Sequence, residues 1–364
     1  MNKFDLLLNS DKKIAIWGLG FYGMNCLDFL INTAKLSISL IIDQNKHKTM
    51  NEYLDVPLVS PDIFINDPTN NNYIVIVTIR NGVNFNSNLL RSRGIEIYYF
   101  DQIYLQSNCE EANEIYEILE DDKSKLIYST LIGNRMILSE KVPVELIQGD
   151  QYFCLPDFTR QKNQFFIDCG AYVGDTFEKW LEINEGNISA YLGIDPIALH
   201  AKKFSARYQR LCNEYNLSKS EVEFITKFIA SKKGIVNTGG SYGSSTSQLS
   251  IQSDLKNAIS DESLNETIEC TTIDLEIQRM LPKLNNVKSI FIKMDVEGGE
   301  FDALKGALET LKKYRPLLAI SIYHRIDDYI RIPFFLKKNL EGYRFFIRHH
   351  SRFADETVLY CAPL

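Results

Sequence analysis

The sequence predicts an α/β protein built from two doubly wound domains, the second carrying an antiparallel hairpin at one edge of its sheet. Three observations carry this. The chain has 364 residues, more than one hydrophobic core normally accommodates. Apolar, β-branched runs alternate with segments of helical periodicity, once over residues 1–100 and again from 151 to the end. Each series opens with a strand running into a glycine turn, "IWGLGFYG" at 16–23 and "FFIDCGAYVGDTF" at 165–177. Strands separated by helices pair in parallel, and a parallel sheet is covered on both faces.

In the first series "KKIAIWG" is a strand and "FYGMNCLDFLINTAK" a helix; "LSISLIID", "YIVIVTI" and "IEIYYF" supply three further strands. Residues 1–100 therefore read as a small Rossmann-like domain. Over 101–150 acidic and apolar residues interleave at helical spacing, as in "EEANEIYEILEDDKSKLIYSTLIGNRMIL". This stretch reads as a helical connector with a solvated charged face. Residues 151–364 resume the alternation with "QFFIDCG", "AYLGIDP", "VEFITKF", "SIFIKMD" and "RPLLAISIYH". "YRFFIRHH" and "TVLYCAP", joined by a short polar turn, form the antiparallel hairpin.

Composition narrows the function. Hydrophobic residues make up 45% and charged residues 24%, as in ordinary globular chains. A formal net charge of -7 argues against nucleic acid as the main partner, since phosphate binding needs an excess of Lys and Arg. The seven cysteines are scattered and form no Cys-x-x-Cys pair, which fits reduced thiols in the cytoplasm. The apolar run near the N-terminus is too short for a signal-peptide core, and no segment is long and apolar enough for a membrane span.

The first glycine turn fits Gly-x-Gly-x-x-Gly through Gly18, Gly20 and Gly23, and Asp43 follows twenty residues beyond Gly23, the usual offset of a ribose-binding acid. This makes a second nucleotide site one reading. The plainer one is a fold that binds an acceptor, another subunit or nothing, because Phe21 and Tyr22 put bulk into the turn. The second turn is different in charge. Asp168 and Asp175 flank it, which disfavours a pyrophosphate and favours a cationic ligand.

"FIDCGAYVGDT", "YLGIDP", "TTIDLEI" and above all "FIKMDVEGGEFDALKGALETLKKYRPLLAISIYH" resemble the FkbM family of S-adenosylmethionine-dependent methyltransferases over about residues 150–364. The resemblance implies a class I methyltransferase-like sheet and S-adenosylmethionine as cofactor. It implies that Asp168, Gly170, Gly174, Asp175 and Thr176 surround the cofactor turn, that Asp195 accepts from the ribose hydroxyls, and that Asp295 and Glu297 reach the cofactor. Gly298 and Gly299 then permit the turn, and Glu297 and Glu300 serve equally well as helix caps. Asp295 and His324, at neighbouring strand ends, are the catalytic candidates, with His324 as base; His349 and His350 are adjacent on a strand, so at most one faces inward. Asp295, His324 and Glu356 offer hard ligands, but their spacing specifies no metal and none is assigned. The Gly/Ser-rich loop 237–250 reads as either a cover for substrate or a linker.

The expected activity is methyl transfer to a hydroxyl of a sugar, glycan or nucleotide-linked small molecule. Two alternatives stay open: an NAD-linked oxidoreductase using "GLGFYG", and a non-catalytic binding module. A homo-oligomer is compatible with every reading.

Overall fold

The computed structural model describes residues 3–45, 51–79, 85, 87–139, 141–159, 161–217, 222–237, 267–284 and 287–364. Loop residues 238–250 lie outside the described residues. The chain divides into two compact units, Met1–Glu114 with Ser129–Lys141, and Ile115–Tyr128 with Val142–Leu364. The helix Asp122–Ile137 is therefore shared, its first half in one unit and its second half in the other. No helix among the described residues is long and apolar enough to cross a membrane.

The first unit is built on β1 (Lys13–Trp17), β2 (Ile38–Ile42), β3 (Glu52–Tyr53), β4 (Val56–Val59), β5 (Tyr73–Val77) and β6 (Glu96–Tyr99). They order as β3-β4-β2-β1-β5-β6, all parallel except β3 with β4. β1 is central because Ile14, Ala15 and Ile16 are buried on both faces. The β3–β4 hairpin is absent from the sequence reading. Its two-residue turn places Leu54 and Asp55 at φ 51° and 61°, a conformation that usually announces itself by Asn-Gly or Asp-Gly. Gly23 is required by packing, since a Cβ there would lie 2.1 Å from the Gly18 carbonyl oxygen.

The second unit holds β7 (Gln164–Cys169), β8 (Ala190–Ile194), β9 (Val222–Ile225), β13 (Ser289–Met294), β14 (Leu317–Ser321), β15 (Tyr343–His349) and β16 (Thr357–Pro363). Their order is β15-β16-β14-β13-β7-β8-β9. The first five in sequence are parallel, and the hairpin β15–β16 joins β14 antiparallel through β16. A small separate sheet, β10 (Phe228–Ile229), β11 (Gly234–Asn237) and β12 (Thr267–Thr271), is absent from the sequence reading. Phe166 on β7 stacks on Phe291 on β13 at 4.8 Å, and Trp180, Tyr191 and Phe204 extend this aromatic core. β7 sits where strand order reverses, between β8 and β13, so the sheet opens a crevice at its C-terminal end.

The hairpin histidines are structural. His349 is fully buried, with Nδ1 2.8 Å from the Thr357 hydroxyl. His350 sets Nδ1 2.8 Å from the Gln148 carbonyl oxygen and Nε2 3.1 Å from the Tyr360 hydroxyl, a pairing that suits the neutral ring. Burial pushes the His350 pKa down to about 4. The unfolded chain then takes up a proton near pH 6.5 that the folded chain refuses, so the stability His350 contributes is complete above that pH and is lost as pH falls toward 4. Urea unfolding at pH 7.5 and pH 5 should show a loss of about 2 kcal/mol from this group. His350→Gln should flatten the loss, and an unchanged slope would show that the ring already titrates freely.

Candidate active site

The turn after β7 and the end of β13 meet almost without space. Gly170 has φ +78°, and a Cβ there would lie 1.8 Å from the Asp295 carbonyl oxygen. Its N–H donates to the Ile194 carbonyl at 2.9 Å, and the Asp295 N–H donates to the Cys169 carbonyl at 3.0 Å. Gly174, at φ +79°, caps the helix Asp175–Ile183 against the Phe204 ring. Both glycines are thus demanded by backbone geometry.

Beneath this turn lies a buried ion pair. Register sets Lys293 of β13 beside Asp168 of β7, and Lys293 Nζ is 3.0 Å from Asp168 Oδ1 and 2.8 Å from the Gly170 carbonyl oxygen. Tyr191 donates its hydroxyl to the other carboxylate oxygen at 3.0 Å. Burial works against the Lys293 charge, but Asp168 and Asp295 override it and raise the pKa. Asp168, expected at the cofactor, is fully buried and holds this lysine from one layer below the cavity wall.

Above the turn is a cavity of about 590 Å³, large enough for a small organic cofactor. Of the residues expected at the cofactor, Gly170, Asp175, Thr176, Asp195, Asp295 and Glu297 line it. Asp195 accepts from the Tyr172 N–H at 3.1 Å and the Ile197 N–H at 2.9 Å, and the His200 ring lies 2.9 Å away. Burial raises its pKa against the pull of these donors. Tyr172 meets His200 edge-on at 4.5 Å, and Phe228 and Ile229 add an apolar wall. Lys293, Tyr152, Gln151, Tyr172, His200 and Glu356 also line the cavity and escaped the sequence reading as site residues, except for Glu356, weighed only as a metal ligand.

The opposite wall is acidic. Tyr152 donates its hydroxyl to Asp295 Oδ2 at 2.8 Å, and the Tyr323 hydroxyl lies 3.4 Å from Asp295 Oδ1 and 3.3 Å from Glu356 Oε1. Gln151 donates to Glu356 Oε2 at 2.6 Å. Burial raises the Glu356 pKa; at Asp295 burial is outweighed by Lys293, His324 and Tyr152, and the pKa falls. Strain gathers here: Tyr152, Tyr172, Glu297 and Glu356 all have positive φ, at 70°, 45°, 53° and 55°, and all lie on the cavity wall. Non-glycine residues persist in that region only when their surroundings impose it, and they concentrate at functional sites.

His324 is placed behind this wall rather than on it. The ring is buried, with Nε2 3.5 Å from Asp295 Oδ1 and 3.3 Å from Glu297 Oε2, and Nδ1 2.9 Å from Glu300 Oε1. Burial lowers its pKa, but the three carboxylates lift it well above the ordinary histidine value. The ring does not line the cavity, so it stands away from the wall where a base would meet an acceptor.

In the first unit Gly18, Gly20 and Gly23 form the turn, and Asp43 accepts from the Leu19 N–H at 2.7 Å and the Asn45 N–H at 2.9 Å. Tyr22 does not crowd the turn; its ring is buried and its hydroxyl donates to Asp101, which also pairs with Arg135 at 3.1 Å. Asp43 clamps its turn through Leu19 as Asp195 clamps its own through Tyr172.

Lys293→Met should cost about 3–5 kcal/mol in urea unfolding, because it strands a buried carboxylate. Asp168→Asn with Lys293→Met should recover part of that loss; equal losses in single and double variants would mean the pair is not what holds β7 to β13.

Residues 168–345 match the Methyltransferase FkbM domain. Among solved structures, methyltransferase FkbM from Methylobacillus flagellatus KT is 18% identical with a TM-score of 0.53, covering 97% of this chain and 90% of that one. An rRNA methylase from Streptococcus thermophilus covers 60% of this chain and 99% of that one, with 10% identity and a TM-score of 0.33. SMU.1697c from Streptococcus mutans, solved with SAH, covers 57% of this chain and 93% of that one, with 11% identity and a TM-score of 0.31. No curated protein matches the chain. With the β7 turn, the Asp295 strand end and the edge strand β15 all falling inside or at the border of the matched segment, the chain carries a methyltransferase domain of the FkbM family.

Proposed function

We propose that the cavity binds S-adenosylmethionine and that the second unit transfers its methyl group to a hydroxyl of a small-molecule acceptor, a sugar or glycan being the leading class. The observation that carries this is the acidic cavity at the β7 switch point, with Asp195 at the tip of β8 and Asp175 at the turn. A sulfonium and an ammonium group are cations that such a wall attracts, whereas a pyrophosphate would be repelled.

In this reading Asp195 takes the ribose hydroxyls with the lone pairs its backbone donors leave free, while Tyr172, Ile197, Phe228 and Ile229 enclose the adenine. Gly170, Gly174, Asp175 and Thr176 surround the amino acid end. Asp295, Glu297 and Glu356 remain to face the acceptor, and Glu356, whose pKa burial raises, is the carboxylate suited to receive the hydroxyl proton. Methyl transfer is an in-line displacement, so the larger contribution is alignment of oxygen, methyl carbon and sulfur with water excluded. His324 acts through Asp295 as a positioning residue.

Calorimetry with S-adenosylhomocysteine tests the reading. Binding should weaken about 10- to 100-fold in Asp195→Ala, the value of a hydrogen bond to a charged group, and stay unchanged in Asp43→Ala. NAD binding lost only in Asp43→Ala would favour the oxidoreductase alternative, and silence with both ligands would favour a binding module.

A further inference from the structure

At the ends of β13 and β14, one ligand atom each from Asp295, Glu300 and His324 falls within 4.8 Å of the other two. Grouped acids alone mean little, but this group holds buried polar atoms without partners. The His324 ring is 7% exposed and among the described residues neither of its nitrogens finds a hydrogen bond of good geometry; Glu300 is fully buried, and while Oε1 accepts the Val296 N–H at 2.8 Å, Oε2 has no partner among them. Carboxylate oxygens nevertheless stand 3.3 Å and 3.5 Å from Nε2, and Glu300 Oε1 stands 2.9 Å from Nδ1.

Oxygens so close without a hydrogen bond lie off the direction in which the nitrogen points. Ligands at right angles around a divalent ion with bonds of about 2.1 Å stand about 3 Å apart, each roughly 45° off its neighbour's bond direction. That arrangement leaves the nitrogen's own direction for the ion. Charge points the same way. Asp295, Glu297 and Glu300 converge on one imidazole, while the close ion pairs of the neighbouring cations are with other carboxylates: Lys293 with Asp168, and Arg325 and Arg331 with Asp327, Arg331 also with Asp328.

We propose that Asp295, Glu300 and His324 form a binding site for a divalent transition-metal cation such as Mn²⁺, with Glu297 closing its outer side. Carboxylates suit Mn²⁺, while the imidazole nitrogen disfavours Mg²⁺ and Ca²⁺, which take oxygen ligands. Asp295 and Glu297 also line the cavity, so the cation faces it. If the methyltransferase reading holds, the ion would polarise the acceptor hydroxyl as a Lewis acid and ease loss of its proton toward Glu356.

The test uses the full chain stripped with chelator and titrated with Mn²⁺, free ion being read by electron paramagnetic resonance. One Mn²⁺ per chain should bind with a Kd below about 1 mM. Asp295→Asn should weaken binding about 10- to 100-fold, and Glu297→Gln, an exposed change that spares the fold, should weaken it several-fold. Circular dichroism identifies any variant that has unfolded. No stoichiometric binding, or binding indifferent to both substitutions in folded protein, overturns the site and leaves a protonated ring as counter-charge to these carboxylates. S-adenosylhomocysteine calorimetry on the same sample separates the two readings: cofactor binding without Mn²⁺ binding sinks the cation alone, and the converse sinks the methyltransferase reading alone.

Discussion

The second unit turns on the contact between Lys293 and Asp168. Removing two charges from water is costly, and the cost is met only where geometry and further hydrogen bonds are good. Here the lysine joins neighbouring parallel strands and also ties down the Gly170 carbonyl, while Tyr191 serves the carboxylate. The pair therefore fixes how the β7 turn lies against the end of β13. Gly170 and Asp295 can touch backbone to backbone only because that approach is held from below.

Placement of the acidic wall follows. With Asp295 fixed at the strand end, Tyr152 and Tyr323 bridge toward Glu356 on the hairpin turn, and Gln151 closes the chain. The strained backbone at Tyr152 and Glu356 is the cost of aiming these side chains into one cavity. His324 belongs to the same unit of design but one layer deeper, where Asp295, Glu297 and Glu300 surround its ring.

The two glycine turns share more than a motif. In each, an aspartate ending the second strand accepts an N–H of the turn, and a glycine is forced by close backbone approach. Glycine spacing therefore reports packing in both units. The difference lies in what surrounds the turn, since the second stands under a cavity lined by Asp175, Asp195, Asp295 and Glu297. The side chain of Tyr22, which reads as an obstruction in the line of sequence, turns inward to Asp101.

Strands β1, β2, β5–β9 and β13–β16, the parallel pairing and the edge hairpin were legible because apolar runs bounded by polar ends leave a periodic trace. Gly170, Asp195 and Asp295, which line the cavity, are each the residue at which such a run stops. Lys293 left a sign as well, a lone charge inside the apolar strand "SIFIKM", which only a buried partner explains. That partner is 125 positions away in sequence and adjacent only by strand register. Tyr152, His200, Tyr323 and Glu356 carry no such trace, because their role depends on which way a turn is bent. Local pattern determined the layers and the strand tips; the tertiary structure decided which tips converge, since burial, register and backbone strain are properties of the packed chain.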